Sequence, residues 1–342
     1  MQISYENFED VHLTSSVSEN ILALRTVLGN TMDLNVMDIE INGVPCALVT
    51  IENMVSTDAM SELIFRPMMG LEGGEADTHE KIMDFIARRS LMTAERIMVY
   101  TFGETVLQLF SGFALIFVEG EDTAAALGIQ GYDKKSISSP ISENNVMGSQ
   151  EAFAEVIRTN ISLIRRRIKH PALRFEMTQT GKLSNTDICI AYIRGKADEK
   201  MLAEIRRRIG SIKLDSVFGA GYIRPFLEDD AAKRLFSEIG VTERPDKLCA
   251  SLIEGRIAVL VDGTPFVMIC PYTFAQYFSS MDDYASKSFF AWFLKFIRYF
   301  AFLLATAFPG IYLAAVNYNP EMLNMKLLAN LSASEKTTIL PL

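Results

Sequence analysis

The sequence has few of the residues that usually carry enzyme chemistry or bind metals. It contains 3 histidines, far apart in the sequence, and 4 cysteines without a CxxC pair. Zinc and haem sites usually need closely spaced histidines or cysteines, and the scattered cysteines show no disulfide pattern, so we expect none of these sites and no cofactor. The glycine-rich stretches lack the lysine of a phosphate-binding loop, and no GxSxG motif is present. The sequence therefore predicts a protein that is not an enzyme.

The chain also has no excess of positively charged residues. The chain has 33 Lys and Arg against 42 Asp and Glu, a net charge of −9 and a pI near 5.1. Nucleic-acid-binding proteins usually have the opposite balance, so no nucleic-acid partner is expected. Residues 1–10 are acidic and contain no apolar run, which argues against a cleaved signal peptide.

Charged residues are absent from one long stretch, residues 299–320, which is rich in aromatic and aliphatic side chains. As a helix rising ~1.5 Å per residue, it is long enough to cross a hydrocarbon core ~30 Å thick. Lys287, Lys295 and Arg298 precede it, so we expect a transmembrane helix whose N-terminal side is cytoplasmic. Lys295 and Arg298 then act as anchors at that membrane surface. A buried core helix is the alternative, because a proline-glycine pair interrupts the run.

Most of the chain has the periodicity of a globular α/β protein, and 49% of its residues are hydrophobic. The N-terminal α/β subdomain is predicted over residues 1–131 and a Ser- and Gly-containing linker over 132–150. The first subdomain is expected to contain an amphipathic helix over 15–29, a β-hairpin around Asn42-Gly43, helices over 57–70 and 78–91 and strands near 96–101, 106–110 and 113–118.

The second α/β subdomain is predicted over residues 151–285 and has the order helix, strand, strand, helix. These elements are expected over 151–168, 172–179, 186–193 and 198–212, followed by a hairpin around Asp262-Gly263 whose apolar strands are buried on both faces. Residues 286–320 are the membrane-entry and transmembrane helix, and residues 321–342 a segment beyond it. The expected fold class is thus α/β (α+β), a two-subdomain soluble head followed by a C-terminal transmembrane helix.

Two arginine runs fall in the last turns of predicted helices. They are Arg165-Arg166-Arg167 and Arg206-Arg207-Arg208. Cations in this position complement the partial negative charge of a helix C-terminus, which is a sufficient structural explanation. The alternative is a site for phosphate or lipid headgroups.

Three stretches of the sequence resemble the A subunit of GerA-type spore germination receptors. They are residues 160–169 (NISLIRRRIK), residues 242–246 (TERPD) and residues 252–266 (LIEGRIAVLVDGTPF). Further agreement lies at Ser280-Met281-Asp282-Asp283-Tyr284 and around Pro309-Gly310, so that the resemblance extends from about residue 15 to the end.

The resemblance implies a receptor subunit in the spore inner membrane, which works with B and C subunits to couple nutrient sensing to ion release. It implies that the nutrient is bound mainly by the B subunit and that A-type subunits assemble into a homo-oligomer. The second subdomain is similar to the ring-building modules of related sporulation proteins.

Two departures from the family pattern matter. Residues 147–153 read MGSQEAF where the family usually has Arg-Gly-Pro-Arg/Lys-Glu-Gly-Phe, which puts contacts by those basic residues in doubt. Family members also continue through further hydrophobic segments, whereas this chain stops at Leu342. We therefore expect a fragment or a truncated gene product.

The resemblance singles out residues as family motif or partner contact. They are Arg165, Arg166, Arg167, Thr242, Glu243, Arg244, Pro245, Asp246, Glu254, Gly255, Arg256, Asp262, Gly263 and Pro265. The TERPD motif has two interpretations, a partner-contact loop or an internal ion-pair clamp in which Glu243 and Arg244 pair with Glu254 and Arg256. Asp262-Gly263 is explained by hairpin-turn geometry alone.

Two other functions are compatible with the residues. One is a self-assembling, membrane-anchored scaffold without receptor activity. The other is a membrane-tethered enzyme acting on phosphorylated substrates, with both arginine runs forming an anion site between the subdomains. No nucleophile or metal set supports the second.

Overall fold

Two five-stranded antiparallel sheets, each covered by helices on both faces, organise the computed structural model. It describes residues 3–29, 31–69, 78–86, 95–131, 140, 143, 149–228, 236–279 and 288–318. The predicted mixed α/β class with two subdomains is confirmed.

The first subdomain is built on the first sheet. Its elements are α1 (Val17–Leu28), β1 (Leu34–Ile41), β2 (Val44–Ile51), α2 (Thr57–Met60), a π-helical turn (Ser61–Phe65), α3 (Arg66–Met69), α4 (His79–Asp84), β3 (Arg96–Val99), α5 (Phe102–Leu109), β4 (Phe113–Val118) and β5 (Ala124–Gly128). The strand order is β1-β2-β4-β5-β3. Helices α1 and α5 bury apolar side chains against one face of this sheet, and the π-helical turn, α3 and α4 cover the other.

The second subdomain is built on the second sheet. Its elements are α6 (Ile157–Arg167), β6 (Leu173–Thr180), β7 (Thr186–Ile193), α7 (Glu199–Gly210), α8 (Ala220–Leu227), β8 (Gly240–Thr242), α9 (Pro245–Ile253), β9 (Ile257–Val261) and β10 (Val267–Cys270). The strand order is β6-β7-β9-β10-β8, with α6 and α9 on one face and α7 and α8 on the other.

The two subdomains repeat one topology, because the strand order of the second sheet is that of the first shifted by five strands. They also repeat one way of capping the first helix. The Glu119 carboxylate accepts a hydrogen bond from the N–H of Val17 (2.8 Å), and the Asp262 carboxylate accepts one from the N–H of Ile157 (2.9 Å). Each carboxylate satisfies a free N–H and meets the positive end of the helix dipole. Asp262 therefore does more than form the hairpin turn.

A buried asparagine occupies the same place in both subdomains. Asn20 in α1 accepts from the N–H of Thr14 (2.9 Å) and donates to its carbonyl (2.6 Å). Asn160 in α6 makes the same pair of bonds to Ala154, both at 2.7 Å. The side chain thus fixes the entry of the chain into each helix. The two subdomains thus share this detail as well as their strand order.

Local turn signals predicted the hairpins correctly, whereas an apolar run was misread. Asn42 and Gly43 have φ of +49° and +85°, as a tight β1–β2 turn requires. The strand predicted near 106–110 is wrong, since these residues belong to α5 and the turn after it. Thr101 and Glu104 form a capping box that starts the helix. The helix predicted from residue 151 begins only at Ile157.

Gly255, which follows α9, and Gly263, in the β9–β10 turn, differ in how much room a side chain would have. Both have positive φ, +91° at Gly255 and +81° at Gly263. A Cβ on Gly255 would lie 2.6 Å from the carbonyl oxygen of Lys196, whereas the nearest atom to one on Gly263, the Phe218 oxygen, is at 3.6 Å.

We expect Gly263→Ala to lower the free energy of unfolding by about 1–2 kcal/mol through backbone strain. Gly255→Ala should cost clearly more, because it adds a clash with backbone that cannot move aside. Thermal unfolding of the two variants measures the difference. Equal losses would mean that Lys196 does not approach Gly255 this closely.

A second compact unit begins at Thr273. It contains a 3-10 helix (Phe274–Phe278) and the helix α10 (Ser288–Tyr318), which continues through Pro309. Within the described residues, one helix is long and apolar enough to cross a bilayer, Phe289–Ala315, with mean hydropathy 1.5 and none of its most apolar stretch buried. The core helix of a soluble protein would be mostly buried, so this exposure favours a membrane span over the buried-core alternative.

Some predicted segments lie outside the described residues. They are most of the linker at 132–150, the motif at 280–284 and the segment at 321–342. The subdomain boundaries at 131, 150 and 285 stay predictions.

Candidate functional site

Cations of α6 and of the residues just after it bind acceptors of the first subdomain. Arg158 and Arg165 are seven residues apart on one side of α6, and Lys169 follows two residues after the helix ends. Their partners are the carboxylates of Glu52 and Asp33 and the hydroxyl of Ser111. We call this boundary the seam and define it by Asp33, Glu52, Arg158, Arg165 and Arg174.

Arg165 is the centre of the seam and is 0% exposed. Its guanidinium donates from Nε to Asp33 Oδ2 (2.9 Å) and from Nη2 to Asp33 Oδ1 (3.2 Å). Nη1 donates to the Leu173 carbonyl (3.2 Å), and the group lies 4.6 Å and 4.8 Å from the ring centres of Phe110 and Phe175. The two-pronged geometry and the two aromatic faces suit arginine and not lysine.

Arg174 adds a second buried cation to the seam. Its Nη2 donates to the Val27 carbonyl at the end of α1 (3.3 Å), while Nη1 is buried with no hydrogen-bond partner among the described residues. Burial lowers the pKa of Arg174, and the charges of Arg194 and Arg165 lower it further. The seam thus holds more positive than negative side chains. It is therefore more polar than an ordinary hydrophobic core.

A charged cluster, which we call the clamp, holds the chain entering the second subdomain. It consists of Glu143, Glu151, Arg166, Arg167, Arg244 and Asp246. Both Arg166 and Arg167 donate to Glu151. Burial alone raises the pKa of Glu151, but the hydrogen bonds from Arg166 and Arg167 outweigh it and hold that pKa below its usual range.

Arg244 lies at the base of the clamp and is 2% exposed. It donates from Nε to Asp246 Oδ1 (3.1 Å) and from Nη1 to the Glu143 carbonyl (3.2 Å), and the N–H of Glu143 donates to Glu243 (3.0 Å). Burial raises the pKa of Asp246, but the bonds from Arg244 outweigh it and lower that pKa overall. The motif thus fastens residue 143 to the start of α9.

The predicted pairing of the TERPD motif with Glu254 and Arg256 is wrong. Those two residues pair with each other just after α9 ends at Ile253, and Arg256 also donates to the Ser251 hydroxyl. The other singled-out residues are dispersed. The Thr242 hydroxyl binds Glu143, Pro245 opens α9, Gly255 follows it, and Asp262, Gly263 and Pro265 lie in the β9–β10 loop.

The second arginine run is paired internally as well. Arg206 binds Glu176, and both Arg207 and Arg208 bind Glu204. Hydrogen bonds from Arg206 lower the pKa of Glu176. Hydrogen bonds from Arg207 and Arg208 lower the pKa of Glu204 in the same way. The six arginines are thus matched to carboxylates, which removes the support for an anion site made from both runs.

The described residues contain no cluster of three or more potential metal ligands. All four cysteines are buried and free. Burial raises the pKa of Cys46, Cys249 and Cys270 to about 12, so these thiols stay protonated and are poor nucleophiles.

The pairing of Glu151 predicts a pH-dependent contribution to stability. A carboxyl whose pKa is lower folded than unfolded stabilises the fold above its ordinary pKa of about 4.3, and the contribution is lost as pH falls through the folded value. Glu151→Gln should therefore unfold at lower urea concentration than wild type near neutral pH, and the difference should vanish in acid. Urea titrations across this range test it, and a difference that persists in acid would contradict the role of Glu151.

Sequence reasoning missed Asp33, Glu143 and Arg158. The seven-residue spacing of Arg158 and Arg165 was a usable signal for a cationic helix face. Nothing local marked Asp33, which lies 132 residues from Arg165. The same holds for Glu143 and Arg244, which are 101 residues apart.

Comparison with known proteins gives matches along nearly the whole chain. The model of the family described as Bacillus/Clostridium GerA spore germination protein matches residues 23–342. Spore germination protein KA of Bacillus subtilis (strain 168) is 33% identical over 341 residues, covering 98% of this chain and 62% of that protein. The membrane protein YfkQ of the same organism is 30% identical over 337 residues, covering 98% of this chain and 65% of that protein.

A solved structure is similar to most of this chain. It is the crystal structure of the N-terminal domain of the A subunit of the Bacillus megaterium spore germinant receptor GerK3, with a TM-score of 0.60 and 30% sequence identity. The match covers 77% of this chain and 97% of that one.

Proposed function

Because the chain belongs to the GerA family of spore germination proteins, we propose that it acts as the A-type subunit of a nutrient germinant receptor in the spore inner membrane. The observation that carries the proposal is the match to the GerK3 A-subunit domain, which covers 77% of this chain and 97% of that domain. The exposed helix α10 supports a membrane location. The chain spans 62% and 65% of the two relatives described above, so the activity of a whole receptor subunit belongs to this proposal.

The head of the protein lies in the cytoplasm in this proposal. Lys295 and Arg298 are the last cations before the uncharged part of α10. Positive residues beside a membrane span favour the cytoplasmic side, and their long side chains reach the headgroup layer. Arg298 also donates to the Phe278 carbonyl (3.1 Å), which fits an anchor better than a pore-facing charge.

The proposed partners are B and C subunits, further copies of this chain and membrane lipid. The nutrient binds mainly to the B subunit, and the A-type subunit couples that event to ion release. Within this chain, the polar seam is the element best suited to transmit a change of conformation, since interfaces of this kind permit relative motion more readily than apolar cores do. A membrane-anchored scaffold without receptor activity is the competing function.

Deleting the gene in its spore-forming host and restoring it tests the proposal. The receptor function predicts that spores without the gene fail to release core potassium when a cognate nutrient is added, and that the restored gene recovers release. Agents that bypass nutrient receptors should still trigger it in both strains. Normal nutrient responses in the deletion strain, for every nutrient to which the wild type responds, would leave the scaffold as the better description.

A further inference from the structure

The segment before the long helix is short, aromatic and uncharged. Residues 273–279 read TFAQYFS. Thr273 and Gln276 form a capping box that satisfies backbone groups at the start of the 3-10 helix. Phe274 is 41% exposed and Tyr277 is 47% exposed, so two of its three aromatic rings have no complete protein cover.

The third aromatic ring packs onto the middle of α10. Phe278 stacks on Tyr299 with ring centres 4.4 Å apart and meets Phe302 edge-on at 5.3 Å. Phe274 also meets Phe302, at 5.8 Å. The segment is therefore fixed at the level of residues 298–302 of the helix, an arrangement that Arg298 reinforces through its bond to the Phe278 carbonyl.

That level is where the uncharged part of the helix begins. Residues 299–320 carry no charge, and Arg298 is the cation immediately before them. Arginine beside a span reaches the headgroup layer, and aromatic residues collect at the same depth. A segment fixed at this level is placed where bilayer polarity changes from headgroup to acyl chain.

Resting on the proposed membrane span, we infer that residues 273–279 form an interfacial segment that binds the lipid surface. The exposed rings of Phe274 and Tyr277 enter the upper acyl layer, and the capped backbone stays at headgroup depth. A lipid surface suits this segment better than a protein partner does. The rings that pack on α10 continue the apolar surface of that helix, and in the proposed span the bilayer covers that surface. The chain is then held at the membrane by two elements, the span and this segment.

The single tryptophan of the chain makes the inference testable by fluorescence depth measurements. Full-length chain carrying Trp292→Phe receives one new tryptophan, either Tyr277→Trp in the segment or Phe308→Trp in the span. Each variant is reconstituted in phosphatidylcholine vesicles with bromine near the headgroup or near the middle of the acyl chains. Acrylamide in the buffer measures exposure to water.

The segment reporter is expected to lose more fluorescence to shallow bromine than to deep bromine, and to be poorly quenched by acrylamide. The span reporter lies ten residues beyond Arg298, about 15 Å along the helix, and should be quenched best by deep bromine.

The experiment distinguishes failure of the proposed membrane span from failure of the inferred lipid-binding segment. A span reporter unquenched by either lipid would remove the membrane span and the inference with it. A quenched span with a segment reporter open to acrylamide would place the segment in water. A segment reporter shielded from bromine and acrylamide alike would mean that protein, another copy of the chain, covers it. Either of the last two outcomes overturns the inference and leaves the proposed function standing.

Discussion

Replacing Arg165 by methionine is expected to lower the free energy of unfolding by about 3–5 kcal/mol, the usual cost of removing one partner of a buried ion pair. The variant leaves Asp33 buried, at 3% exposure, without the cation that compensates its charge. It also removes the donor to the Leu173 carbonyl. Urea unfolding of the purified chain in detergent, followed by circular dichroism, measures the loss.

The neighbouring arginine provides a matched control. Arg166 has the same chemistry and the same helix, but its side chain is 29% exposed and binds Glu151 near the surface. Glu151 keeps Arg167 as a second donor after this substitution, so Arg166→Met should cost clearly less than Arg165→Met. Equal effects of the two substitutions would mean that water reaches Arg165 and that the seam is open in solution.

A double variant separates the charge from the packing. Adding Asp33→Asn to Arg165→Met removes the uncompensated carboxylate, so the double variant should be more stable than Arg165→Met alone. This recovery is the outcome that a simple loss of packing would not produce. Its absence would place the cost of Arg165→Met in the lost contacts with Phe110 and Phe175.

The sequence predicted those parts of the fold that short-range physics determines. Asn42, Gly43 and Gly263 have positive φ, and both hairpins were identified from the Asn-Gly and Asp-Gly pairs that contain them. The run from Val106 to Phe110 was misread because apolar residues suit a strand as well as a buried helix. The deciding signal was the capping box at Thr101, which was not used. Strand β5 was missed because alanine is a weak strand former.

The candidate site could be predicted only in part, for a different reason. The arginine run was visible, but its three members have unlike environments, since Arg165 points into the seam and Arg166 and Arg167 into the clamp. Their acidic partners are set by tertiary contacts and leave no local mark. The repeated topology was missed too, because its shared features are two asparagines and two carboxylates separated by more than a hundred residues.

The second large effect is expected for Arg244→Ala. This substitution leaves Asp246 half-buried without its cation and releases the Glu143 carbonyl, and its expected cost is about 3–5 kcal/mol. Arg256→Ala is the matched control, since Arg256 is also an arginine of a singled-out motif but pairs with Glu254, whose side chain is 48% exposed. Its cost should stay within about 1 kcal/mol. Thermal unfolding of both variants tests the difference.

In spores carrying a full-length version of the protein, Arg244→Ala should reduce nutrient-triggered germination because less of the subunit accumulates in the membrane. A fold destabilised by several kcal/mol spends more time unfolded, where proteases act on it. Immunoblots of spore membranes decide between the two interpretations of the motif. Low abundance with a proportionally weak response supports the internal clamp, because Arg244 is 2% exposed and has no surface to offer a partner. Normal abundance with a lost response would contradict the internal clamp. The motif would then be a signalling contact, which a partner reaches only if the clamp opens during activation.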